Sequence, residues 1–153
     1  MNVDWHAARS DLPELATLDD LGSPGIDSPA LRAYRLGRVR KQMGAHGLDA
    51  CILLDPVNIR YATGARNMQV FHLRNPARYL FLPLDGPVVL HEFTGCMHLA
   101  EGLETIDEVR PAITASYAAA GPDVEAAEAG WAGQVGDLVR EHCGGRARVA
   151  SSG

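Results

Sequence analysis

Leu48-Asp49-Ala50-Cys51-Ile52-Leu53-Leu54-Asp55-Pro56-Val57-Asn58-Ile59-Arg60-Tyr61-Ala62-Thr63-Gly64 is the stretch whose reading decides the fold. Residues 48–54 are almost continuously apolar, the pattern of a strand buried on both faces. Asp55-Pro56 ends that strand, because proline lacks the donor a ladder needs and aspartate can cap a following helix. Val57 to Thr63 is long enough for about two helical turns. Gly64 closes them, as glycine adopts the left-handed cap at little steric cost. A strand that turns at once into a short helix presents side chains at its end, so Asp55 and Asn58 are candidates for a site. Capping and local backbone hydrogen bonds account for both residues structurally. Tyr61 is expected to pack its ring beneath the following loop, hydroxyl at the rim.

Upstream, Ser28-Pro29 reads as a helix start. Leu31, Tyr34, Leu36, Val39 and Met43 follow at helical spacing, opposite Arg32, Arg35, Arg38, Arg40 and Lys41. Gly44 to Gly47 should end this helix. Its basic face reads as solvated, because no aromatic residues interleave with the charges as in a nucleic-acid groove. Residues 1–27 contain Pro13, Gly22, Pro24, Gly25 and several aspartates, with Leu12, Leu15, Leu18 and Leu21 three apart. They read as an N-terminal arm, loose or briefly amphipathic, of the sort that packs on a partner subunit. Residues 28–153 form the domain proper.

Downstream, Val70, Phe71 and Leu73 suggest an extended segment. Tyr79–Leu84 and Pro87–Glu92 are apolar strands about an Asp85-Gly86 two-residue turn. Thr94 to Gly102 reads as a short helix and Ile106 to Arg110 as an edge strand ended by Pro111. Asp123 opens a long helix through Cys143, with Val124, Ala127, Trp131, Val135, Leu138 and Val139 as its apolar stripe. Gly144-Gly145 stops it, and Arg148-Val149-Ala150 begins one more strand. This order implies an α/β domain: a mixed sheet containing one antiparallel hairpin, with helices on both faces.

Composition narrows the function classes. The 153 residues carry a net charge of −5 with interspersed signs, unlike a nucleic-acid binder. Cys51, Cys96 and Cys143 are odd in number and far apart, the usage of a reducing cytoplasm. No signal pattern opens the chain, and no apolar run reaches the roughly 18 residues that cross a bilayer. A cytoplasmic protein without membrane attachment is expected. A zinc site drawn from His91, Cys96 and His98 fits no ligand spacing, so no metal is expected in this chain. No GxSxG elbow is present, and Cys51 should be inert within its strand. Gly130, Gly133 and Gly136 fall on the long helix, where close packing explains them better than phosphate binding.

The basic helix, Gly-Leu-Asp-Ala-Cys-Ile-Leu-Leu-Asp-Pro, Asn-Ile-Arg-Tyr-Ala-Thr-Gly, Arg-Tyr-Leu-Phe-Leu-Pro and the Asp-Gly turn into Val-Val-Leu-His-Glu together resemble the N-terminal domain of the creatinase/prolidase/aminopeptidase P metalloenzymes. The resemblance covers about residues 30–150. It implies a three-layer α/β/α domain with a ribonuclease H-like motif. Asn67-Met68-Gln69 and Asn75-Pro76 make it most similar to the branch that holds the dimethylsulfoniopropionate lyases. Chemistry in this family belongs to a C-terminal domain with two divalent metal ions held by two Asp, one His and two Glu. The chain ends where the linking strand would lead into that domain. It is therefore expected to be a fragment or a stand-alone interaction domain, inactive alone. The resemblance implies a homodimer and a small-molecule or peptide substrate. The parent would be an Xaa-Pro peptidase-like metallohydrolase, or alternatively a dimethylsulfoniopropionate lyase-like enzyme.

By the same resemblance, the segment after Gly64 reaches a neighbouring active site. Phe71 and Arg78 match the substrate-contacting aromatic and arginine by position, with His72 and Arg74 next. Arginine forks suit such a role because they clamp carboxylates bidentately. An ordinary polar loop is the alternative for the same residues. Asp55, Asn58, Tyr61 and Gly64 are the structural motif.

Overall fold

The computed structural model describes residues 26–66, 78–114 and 120–152. Residues 1–25 of the arm and the Val70–Leu73 segment lie outside them. Helix α1 (Ser28–Ala45) leads to strand β1 (Ala50–Leu53), helix α2 (Pro56–Thr63) and strands β2 (Tyr79–Pro83) and β3 (Val89–Glu92). A 3-10 helix (Thr94–Ala100), strand β4 (Glu108–Pro111), helix α3 (Val124–Cys143) and strand β5 (Val149–Ser152) complete the order. The expected α/β class and mixed sheet are present, in the order β4-β3-β2-β1-β5. The outer pairs are parallel, β1 with β5 and β3 with β4. Besides the β2–β3 hairpin there is a second antiparallel pair, because β2 also runs against β1.

The hairpin departs from the two-residue turn. That turn would set Tyr79 opposite Glu92, whereas the register pairs Tyr79 with His91 and Phe81 with Val89. The one-residue difference exchanges which side chains share a face. Pro83 and Pro87 leave the connection without donors at both shoulders. Arg40 closes it instead, donating to the carbonyl oxygens of Pro83 at 3.3 Å and Gly86 at 2.6 Å.

Each sheet face has its own core. Leu53, Leu80, Leu82 and Leu90 meet Met43 of α1 and Ile59 and Ala62 of α2. Ala50, Ile52, Tyr79, Phe81 and Val89 meet Leu138 of α3, with Trp131 and Val135 alongside. The alternation of β1 and β2 residues between the two clusters is the period-two rule acting on strands covered on both sides.

Several local expectations are corrected. The cap of α1 is Asp27, not Ser28: its carboxylate accepts the Ala30 N–H at 2.9 Å. Tyr34, assigned to the apolar face, is 62% exposed. Asp123 precedes α3 but makes no side-chain cap, because a 3-10 turn, Gly121–Asp123, leads into the helix there. Gly133 has open space at its Cβ position, so packing explains Gly130, against Ile113, but not Gly133. No helix among the described residues is long and apolar enough to cross a membrane.

Candidate functional site

The Asp55–Gly64 corner is a structural device. Asp55 accepts from the N–H groups of Val57 at 2.7 Å and Asn58 at 3.0 Å, satisfying orphan donors of α2. The Asn58 side-chain amide donates to Ser152 Oγ at 3.3 Å, joining the corner to the end of β5. Tyr61 is 39% exposed, with the Arg35 guanidinium 5.6 Å from its ring centre, and the loop expected to cover it lies outside the described residues. Thr63, which sequence reasoning left out, is the buried hub. Its hydroxyl donates to Ile59 O at 2.7 Å and accepts from Ala65 N–H at 3.2 Å. Its carbonyl accepts from Thr105 Oγ1 at 2.5 Å.

Gly64 stops α2 with φ of 81°. A Cβ there would lie 2.3 Å from Arg32 Cδ, and Arg32 is held by a bidentate pair to Glu104 at 2.7 and 2.9 Å. Gly64→Ala is therefore expected to cost about 1–2 kcal/mol, from the left-handed backbone and the displaced Arg32. Urea unfolding checks this. In an Arg32→Ala background the cost should shrink to its backbone part, and an equal cost in both backgrounds would refute the clash.

The second cluster lies where β2 begins and β3 ends. The shifted register puts Arg78 opposite Glu92, on the face that carries Leu80 and Leu90. Arg78 Nε lies 2.6 Å from Glu92 Oε2, with the side chains 4% and 0% exposed. Glu92 Oε1 also accepts the Phe93 N–H at 2.9 Å. Burial pulls the Arg78 guanidinium below its ordinary value, and the Glu92 carboxylate opposes that shift. Arg78 thus faces the interior of its own chain, where the sequence had it facing a substrate. Phe71, His72 and Arg74 lie outside the described residues.

On the opposite face His91 stacks on Tyr79, ring centres 4.4 Å apart, and Trp131 meets Tyr79 edge-on at 6.1 Å. The Tyr79 hydroxyl donates to Gln134 Oε1 at 2.7 Å and accepts the Ile113 N–H at 3.2 Å, stitching β2 to α3 and to the chain after β4. Burial raises the phenol above its usual range. His91 is fully buried, and neither ring nitrogen has a hydrogen-bond partner among the described residues. Burial, aided by Arg110 and opposed by Glu108, lowers its pKa from 6.5 to about 4.

That depression sets a pH dependence. As pH falls through 6.5 the unfolded chain takes up this proton first, so the stability His91 contributes is intact above 6.5 and lost between 6.5 and about 4. From pH 7 to 5 the loss is expected to be about 2 kcal/mol. His91→Phe keeps the stack on Tyr79 and should flatten the slope in that window. An unchanged slope would assign the acid loss to other groups.

These arrangements hold structure together and offer no exposed nucleophile or base. Burial raises the thiols of Cys51 and Cys143 above their ordinary value, which suppresses thiolate. Among the described residues no group of three or more His, Cys, Asp or Glu is arranged to hold a metal ion.

Residues 35–150 match the model of the Creatinase/Prolidase N-terminal domain family. The chain is 33% identical over 148 residues to dimethylsulfoniopropionate lyase DddP of Roseobacter denitrificans, covering 97% of this chain and 30% of that protein. It is 30% identical over 124 residues to DddP of Roseovarius nubinhibens, covering 81% and 28%. The chain thus spans under a third of the length of these curated relatives. Among solved structures it resembles an Xaa-Pro aminopeptidase from Streptococcus pyogenes, with 18% identity and a TM-score of 0.47 over 80% of this chain and 92% of that one. With its family-model match across residues 35–150, the chain belongs to the creatinase/prolidase N-terminal domain family.

Proposed function

We propose that this domain is the non-catalytic N-terminal part of a dimethylsulfoniopropionate lyase-like enzyme, serving homodimer contact and partial cover of the partner subunit's active site. The observation that carries the reading is the 33% identity that runs across 97% of the chain. It favours the lyase branch over an Xaa-Pro metallohydrolase. Catalysis and any divalent metal ions belong to the remainder of such an enzyme, and the working environment is cytoplasmic. In this domain the Arg78–Glu92 pair fixes the point at which residues 67–77 enter β2. That segment carries Phe71, His72 and Arg74, the side chains proposed to reach substrate, while Arg78 acts as a positioning residue.

The test uses a full-length enzyme that contains this domain. Consumption of dimethylsulfoniopropionate, followed by NMR, should be observed, and Xaa-Pro dipeptides should survive. The reverse result would reinstate the peptidase reading. In the same enzyme Arg74→Ala should raise KM about tenfold, equivalent to about 1.4 kcal/mol of binding. An unchanged KM removes Arg74 from the site.

A further inference from the structure

Strands β1, β3, β4 and β5 run in one direction and β2 in the other. Their carboxyl ends share one edge of the sheet, the edge outside which open α/β sheets bind ligands. Phe93 follows β3 at that edge, directly after the buried Arg78–Glu92 pair. It is 52% exposed. Its backbone is nonetheless fixed on both sides. The N–H donates to Glu92 Oε1 at 2.9 Å, and the carbonyl accepts the Cys96 N–H at 2.8 Å. The ring rests against Gly95, where a Cβ would lie 3.2 Å from Phe93 Cε1. An exposed aromatic ring thus stands in solvent on a rigid seat, and its orientation is set before any ligand arrives.

Tyr34 and Tyr61 are the other exposed aromatic rings among the described residues, and each already carries a cation. The Arg38 guanidinium lies 5.8 Å from the Tyr34 ring centre, and that of Arg35 5.6 Å from the Tyr61 ring centre. No cation or aromatic ring among the described residues lies against Phe93. Its π face is therefore open at the ligand-binding edge. Such a face attracts cations through the negative charge density above the ring. Methylated onium groups depend on that attraction most, because they carry no N–H with which to hydrogen-bond. The dimethylsulfonium head of dimethylsulfoniopropionate is a group of this kind. We propose that Phe93 is a substrate-binding residue of the lyase-like parent, its ring forming the wall against which the methylated sulfonium cation of the substrate packs. This assignment rests on the lyase reading proposed above, and it names the part of the substrate that this domain recognises.

Inhibition of a full-length enzyme that contains this domain tests the assignment. Two probes are compared: the trimethylammonium analogue of the substrate, which keeps the cation, and its tert-butyl isostere, which is uncharged at that end. Phe93→Leu keeps an apolar side chain without the π face. It should raise KM for dimethylsulfoniopropionate and the inhibition constant of the cationic probe about tenfold each. The inhibition constant of the tert-butyl isostere should change by less than about twofold, because that contact needs no π face. Phe93→Trp, whose ring attracts cations more strongly, should hold both cationic constants within about threefold of the unmodified enzyme. A Phe93 that serves only as an apolar or structural contact would weaken both probes alike. That outcome, or unchanged constants in Phe93→Leu, would overturn the assignment and leave the lyase reading intact. Failure of the unmodified enzyme to consume dimethylsulfoniopropionate would overturn the lyase reading itself, and the assignment with it.

Discussion

Replacing Glu92 by glutamine is expected to destabilise the domain by about 3–5 kcal/mol, the usual cost of leaving one member of a buried ion pair without its countercharge. Arg78 is only 4% exposed, and its guanidinium stays protonated at any accessible pH. It cannot neutralise itself, and from within the sheet it cannot swing into water. Arg78→Met/Glu92→Met, which removes both charges at similar volume, should recover most of the loss, since apolar replacement of a buried pair is often neutral or better. Urea midpoints of the single and double variants form the check. A Glu92→Gln cost under about 1 kcal/mol would mean that Arg78 has a solvated alternative, and the anchor for the chain entering β2 would be lost with it.

Leu138→Ala is the second large effect, expected at about 2–5 kcal/mol. Leu138 is the buried residue of α3, fully enclosed among Ala50, Ile52, Tyr79, Phe81 and Val89. Around it Trp131, Val135 and Val139 are only partly covered, so one side chain carries most of the seating of a 20-residue helix. The cavity left by truncation is walled by strands hydrogen-bonded on both sides, which collapse poorly around it. Thermal and urea unfolding measure the loss. A change under about 1 kcal/mol would show that α3 is held by other contacts, such as the Tyr79–Gln134 hydrogen bond.

Both effects turn on placements that sequence reading treated unequally. Leu138 was legible, because the stripe on α3 repeats with the helical period and has nowhere else to go. Glu92 was not. Its pairing with Arg78 depends on a single residue of hairpin register, and Asp85-Gly86 between two apolar runs points to the neighbouring register. Tyr34 was misplaced for a related reason: periodicity assigns it to a face that also includes Leu36 and Val39, but α2 and the sheet cover only part of that arc.

The sequence by itself determined the class of this domain. Continuous apolar runs demand strands covered on both faces, Asp55-Pro56 and Gly64 bracket a short helix by local chemistry, and the motif between them carries the family. These are short-range constraints, each settled within a few residues. Tertiary structure alone decided which charges meet. Arg78 with Glu92, Arg32 with Glu104 and Arg40 with the hairpin carbonyls join residues separated by between 14 and 72 positions. Such pairings follow from strand register and helix docking, which the whole core fixes jointly and no local pattern encodes.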